Sequence, residues 1–257
     1  MSGDTKDAVR QQFGRQASWY TVSRVHSASD GLEALVRLAS PSPDDRALDV
    51  ATGTGFTALA LAPYCRRVVG VDFTPAMLRE AASLRHARGI SNLVLCLGDA
   101  EALPFREGTF DIVTCRHAAH HFPDLPRALA EMVRVTRSGG RVLIDDTCAP
   151  EDPELAALMN AWERRRDRSH VANRPPARLK EMLEASGLRI DAVTMSQVPQ
   201  VFSDWVGRSG MAPADAEELR GDFLAASTGA RAAFRIRAEG PQVRFSWDDV
   251  VIRGVKR

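Results

Sequence analysis

The chain has 257 residues, 44% of them hydrophobic and 26% charged, with a formal net charge of +1. That balance belongs to a globular chain with a filled core, long enough for one α/β domain carrying a substantial insertion. The near-neutral charge gives no reason to expect nucleic acid as a partner. No apolar run approaches the roughly 18–20 residues that span a bilayer. The N-terminal run Met1-Ser2-Gly3-Asp4-Thr5-Lys6-Asp7 is polar and lacks a signal-peptide core, so a cytoplasmic location is expected. Cys65, Cys96, Cys115 and Cys148 are far apart, with no C-x-x-C pair and no His/Cys cluster at zinc spacing. Reduced thiols and no metal site are the expectation.

In chain order, residues 8–38 show near-helical apolar spacing, with Phe13, Trp19 and Tyr20 forming an aromatic cluster ahead of the first strand. This leader either packs on the sheet edge or closes over the site. After the turn-rich Pro41-Ser42-Pro43 comes a compact strand, Ala47 to Ala51, apolar except for Asp49. A glycine turn and a helix from Thr57 to Ala62, stopped by Pro63, follow at once. The second strand is Arg67–Asp72, and Thr74 and Pro75 start a helix running toward Gly89. Strands three and four are Leu93–Leu97 and Phe110–Cys115. Asp124 caps the next helix, and strand five is Arg141–Asp145. Strands alternating with helices at this spacing make a doubly wound parallel sheet. The pattern then changes. Residues 153–170 are helical and end in the charge run Glu163-Arg164-Arg165-Arg166-Asp167-Arg168, read as a solvated face. Arg178–Ala185 is a further helix, a strand begins at Leu188–Val193, residues 203–227 are interrupted helix, and Phe245–Val255 is the final strand.

Strand, glycine turn and helix start together form a ligand cradle at the carboxyl end of a sheet. Gly53-x-Gly55-x-x-Ala58 with Asp72 downstream is also a tolerable dinucleotide fingerprint. Both ligands carry an adenosine ribose whose hydroxyls a carboxylate at Asp72 can accept from. Asp49 tilts the choice: an acid beside the turn repels a pyrophosphate but suits an ammonium or sulfonium.

Asp49-x-Ala51-x-Gly53-x-Gly55, Val71-Asp72, Gly98-Asp99-Ala100-Glu101-x-Leu103-Pro104-Phe105 and Phe110-Asp111-Ile112-Val113 occur in the order seen in class I S-adenosylmethionine-dependent methyltransferases. Leu103-Pro104-Phe105 and His120-His121-Phe122 resemble the subgroup (type 11) that includes the quinone-biosynthesis methyltransferases. The resemblance covers roughly residues 44–146. It implies a Rossmann-like fold: a mostly parallel seven-stranded sheet with an N-terminal helical lid (1–43) and a methyltransferase domain (44–257) carrying cap insertions near 153–172 and 203–228. It implies S-adenosylmethionine as cofactor and S-adenosylhomocysteine as product. Asp49 would lie near the methionine amino group, with Ala51, Thr52, Gly53 and Gly55 forming the loop around it. Asp72 would bind the ribose, Phe73 and Met77 would pack on adenine, and Asp99 with the Ala100 amide would meet its polar edge. Cys115 and Arg116 would lie in the sulfonium region, and Tyr20 joins the cofactor contacts from the leader. The family usually has glycine where this chain has Ala51.

Methyl transfer is an in-line displacement, to which a protein contributes chiefly by holding nucleophile and methyl in line in a dry pocket. A base matters only where the acceptor must lose a proton. His117, His120 and His121 are the candidates, and His170 a weaker one. The helical pieces at 153–170 and 203–227, with the leader aromatics, would enclose a small hydrophobic or aromatic acceptor. A homodimer is left open. The rival readings are a non-catalytic cofactor-binding sensor or scaffold and an NAD(P)-dependent oxidoreductase.

Overall fold

The computed structural model describes residues 30–257. The readings of Phe13, Trp19 and Tyr20, including the assignment of Tyr20 to the cofactor, fall outside the described residues. The elements are α1 (Asp30–Ala39), β1 (Arg46–Val50), α2 (Phe56–Leu61), β2 (Arg67–Asp72), α3 (Pro75–Ala87), β3 (Leu93–Leu97), β4 (Phe110–Arg116), α4 (Leu125–Val135) and β5 (Thr136–Cys148). Then come α5 (Pro153–Arg166), α6 (Pro176–Ala185), β6 (Leu188–Val201), α7 (Phe202–Gly207), α8 (Pro213–Ala225), α9 (Thr228–Ala233), β7 (Arg237–Glu239) and β8 (Gln242–Lys256). The sheet runs β3-β2-β1-β4-β5-β8-β6, with short β7 added to β8. β1 to β5 are parallel, whereas β8 lies antiparallel between β5 and β6. This is the expected doubly wound sheet of seven strands, extended by one hairpin strand.

The parallel strands are short apolar runs because both of their faces are covered. One face packs Leu48, Val113 and Ile144 against α4 and α6, the other Ala47, Ile112 and Leu143 against α1 and α2. Helix α1, the described part of the predicted leader, sits in that second layer with Leu35 and Ala39 fully buried. Asp124 caps α4 as its residue type predicts, accepting from the Arg127 amide at 3.1 Å. Thr74 precedes α3, but its side chain makes no capping bond; its amide instead donates to Asp72.

A third cluster, formed by α5, α7, α8, α9 and the β7–β8 hairpin, is strongly aromatic. Phe223 is fully buried among Trp162, Phe202, Trp205 and Phe245, with ring centroids at 4.1 to 5.4 Å. The charge run at 163–168 departs from its solvated reading. Glu163 and Asp167 are buried, Glu163 accepts from the Trp247 indole at 2.8 Å, and Arg166 pairs with Glu163 while lying over Trp205. Only Arg164, Arg165 and Arg168 face outward. Among the described residues no helix is long and apolar enough to cross a membrane, and all four cysteines are free thiols.

Candidate active site

One cavity runs along the carboxyl ends of β1, β2, β3, β4 and β5. Its walls include Asp49, Ala51, Thr52, Gly53, Asp72, Phe73, Met77, Asp99 and Ala100 at one end. At the other they include Arg116, His117, His120, His121, Glu163, Trp205 and Trp247.

The first end is shaped by the turn after β1. Ala51, Gly53 and Gly55 all have positive φ, at 53°, 54° and 87°. That conformation is open to glycine and strained for Ala51 by roughly 1–2 kcal/mol. A Cβ on Gly53 would meet no described atom within 4 Å, so the cradle is open where the turn faces the cavity. Gly55 does not line the cavity; a Cβ there would sit 3.2 Å from the Ala81 side chain, so its bare backbone lets the turn pack on α3.

The acids are held firmly. Asp72 accepts from the Gly53 and Thr74 amides, each at 2.8 Å. Burial nonetheless holds its pKa above the ordinary carboxylate value. Asp49 is almost wholly buried and accepts from the hydroxyls of Thr52 at 2.6 Å and Thr114 at 2.8 Å. Burial pushes its pKa up to about 6 against the pull of those bonds and of Arg116. Asp99 accepts from the Glu101 amide at 2.9 Å and is bridged to Ala102. The loop behind it is fastened by Arg134, which donates to the carbonyls of Leu103 and Phe105, while Phe105 meets Phe110 edge to face.

The second end gathers the histidines, and they differ in state. His120 Nδ1 lies 2.6 Å from Asp146 Oδ1, and its amide donates to the other Asp146 oxygen at 2.9 Å. Burial disfavours its charged form, but the charge and hydrogen bond of Asp146 outweigh burial and hold the pKa above the usual histidine value. His121 Nδ1 lies 3.1 Å from the Ser169 carbonyl, a contact only an N–H satisfies. Burial and then the charge of His120 push its pKa down to about 4. His170 does not line the cavity; its Nε2 faces the Asn160 amide oxygen at 2.8 Å, and burial keeps it neutral. His117 has φ 50° and places Nε2 3.7 Å from Asp249. Arg116 donates to the Thr57 hydroxyl at 3.2 Å.

The Cys115 side chain is fully buried in the core with Leu48 and Val50 and does not line the cavity. Burial and the charge of Asp146 raise its thiol pKa well above the ordinary value, so it is inert. Sequence reading also passed over Asp145, Asp146, Asp249, Glu163, Trp205 and Trp247. A signal existed for the first two, since Asp145-Asp146 closes the apolar run Val142-Leu143-Ile144 just as Asp72 closes β2.

A methyltransferase-domain family model matches residues 48–144. Over 248 residues the chain is 36% identical to the uncharacterized methyltransferase YcgJ of Bacillus subtilis (strain 168), covering 95% of this chain and 98% of that protein. The chain belongs to the class I S-adenosylmethionine-dependent methyltransferases. The YcgJ crystal structure matches this methyltransferase with a TM-score of 0.85 at 34% identity, covering 88% of this chain and 98% of that one. The methyltransferase is also 28% identical over 226 residues to the ubiquinone/menaquinone biosynthesis C-methyltransferase UbiE of Zymomonas mobilis, covering 86% and 91% of the two chains. The oxidoreductase reading of the glycine turn finds no support among these relatives.

Proposed function

We propose that this methyltransferase binds S-adenosylmethionine at the β1–β3 end of the cavity and methylates a small hydrophobic or aromatic acceptor at the histidine end, with His120 as the base. The observation that carries the proposal is the His120–Asp146 pair on the wall of the same cavity that Asp49, Asp72 and Asp99 line.

The first end fits the cofactor. Gly53 leaves its approach open, and the Asp72 carboxylate, oriented by the Gly53 and Thr74 amides, is the acceptor for the ribose hydroxyls. Asp49 offers negative charge for the methionine ammonium, and Phe73 with Met77 offers an apolar surface for the adenine. Bound there, the cofactor supplies a methyl group already activated by a positive sulfur. The protein's own work is then to exclude water, align the acceptor and take up its proton. Asp146 fixes the tautomer of His120 with Nδ1 as the donor, which leaves Nε2 as the proton-accepting nitrogen. His121, held neutral and tied to Ser169, serves to orient. Trp205 and Trp247 give this end an aromatic wall. That wall, and likeness to a quinone C-methyltransferase, support a flat aromatic acceptor.

Calorimetry with S-adenosylhomocysteine tests the cofactor half: binding to the wild type, with affinity at least about 10-fold weaker in Asp72→Ala, is expected. No binding, or unchanged binding in the variant, overturns it. Labelled cofactor incubated with a metabolite extract tests turnover and identifies the methylated product; no transfer would leave a cofactor-binding protein without the proposed chemistry.

A further inference from the structure

Four strands contribute to one polar ledge. Their register sets Asp49 beside Thr114, Arg116 beside Asp145, and Thr147 beside Asp249. Because side chains alternate along each strand, all six face the same side of the sheet. Three carboxylates therefore share this ledge with one guanidinium. Within it, a ring nitrogen of His117 and one oxygen each of Asp145 and Asp249 lie within 4.8 Å of one another. Asp145 is 0% exposed, and neither of its oxygens has a hydrogen-bond partner among the described residues. A buried carboxylate with no donor either keeps its proton or is met by a cation. Asp249 is oriented: the Thr147 hydroxyl donates to one oxygen at 2.8 Å, and the other faces His117.

We propose that His117, Asp145 and Asp249 bind a divalent transition-metal ion beneath the cavity floor. Nitrogen and carboxylate donors sit about 2.0–2.2 Å from such an ion, so three evenly spaced donors sharing it stand no more than about 3.8 Å apart. His117 and Asp249 already approach to 3.7 Å, and the three groups together need to close by about 1 Å at most. An imidazole with two carboxylates suits Mn(II), Co(II) or Zn(II) better than Ca(II) or Mg(II), which prefer oxygen throughout. Arg116, tied to Thr57, stands beside Asp145 in the register and is the one cation of the ledge. Thr147 is the outer group that fixes a ligand's orientation. Bound there, the ion would hold the His117 ring, which lines the cavity, in a fixed position.

The test uses the full chain after chelator treatment and needs neither cofactor nor acceptor, so it stands apart from the methyl-transfer reading. Mn(II) is titrated in while the free-ion paramagnetic resonance signal is followed, and Co(II) is added separately for its visible absorption. One equivalent bound, with absorption bands of mixed nitrogen and oxygen ligation, is expected for the wild type. Asp145→Asn and Asp249→Asn, each shown to be folded by circular dichroism, should bind at least about 10-fold more weakly. If either fails to fold, His117→Ala carries the comparison and should lose the Co(II) bands. No saturable binding of either ion by the wild type, or equal binding by the folded variants, overturns the proposal.

Discussion

The two ends of the cavity are built over different distances along the chain. At the β1–β3 end the supporting bonds are mostly short in sequence: Asp72 is held by amides 19 and 2 residues away and Asp49 by the hydroxyl of Thr52 three residues on, with the Thr114 hydroxyl reaching Asp49 from 65 away. At the histidine end they are long. His120 leans on a carboxylate 26 residues away, His121 on a carbonyl 48 away, and Glu163 on an indole 84 away. One end is a local structure carried by a single strand–turn–helix unit and its neighbours. The other exists only once α5, α7 and β8 have come together. The difference teaches that the histidine end can be rebuilt without disturbing the β1–β3 end.

The largest test of that separation is Phe223→Ala. It leaves a hole at the centre of the aromatic cluster and should cost about 3–5 kcal/mol of stability in chemical denaturation. In the folded variant, S-adenosylhomocysteine affinity should stay within about threefold; a loss matching the stability loss would break the comparison. Next comes His120→Ala, for which single-turnover kinetics should show methyl transfer slowed at least about 100-fold with cofactor affinity unchanged. Equal rates would remove the base from the proposed mechanism. A smaller effect appears in pH. The folded pKa of His121, about 4, lies below the ordinary histidine value, so the unfolded chain binds more protons between the two. Its contribution is complete above about pH 6.5 and is lost as pH falls toward 4, on the order of 3 kcal/mol. His120, with a raised folded pKa, acts oppositely: its contribution is complete below about pH 6.5 and fades as pH rises through the folded value. Denaturation midpoints of His121→Gln should accordingly depend less steeply on acid than those of the wild type. The smallest expected effect is a gain. Ala51→Gly relieves a left-handed alanine and should stabilise the protein by about 0.5–1 kcal/mol, after the added chain entropy of glycine is deducted.

The same contrast explains what could be read from the residues alone. The strands β2 and β3 occur where their apolar runs stand, Arg67–Asp72 and Leu93–Leu97, and β1 and β4 differ by a residue at one or both ends. Buried parallel strands announce themselves by composition. β6 was legible only as far as Val193, because at the sheet edge its outer half alternates exposed and half-buried residues and contains Pro199. The acids ending β1, β2 and the β3 loop stood out against apolar neighbours. Asp249 did not, since it sits inside β8 and meets His117 only through the fold. The buried half of the 163–168 run was hidden for a similar reason: the indole that receives Glu163 is on a distant strand.

The position of β8 has a consequence for how the molecule is made. β6 precedes β8 in the chain, yet β8 is its partner along the whole run from Leu188 to Val201, and no other strand pairs with it among the described residues. A ribosome therefore releases β6 well before the strand that satisfies its backbone. The aromatic cluster likewise waits for Phe245 and Trp247, and the polar ledge for Asp249. The wall formed by β1 to β4, by contrast, has all its strands from the first half of the chain. Vectorial synthesis should thus complete the β1–β3 side while the histidine side is still open, with β6 the segment most in need of protection from neighbouring chains.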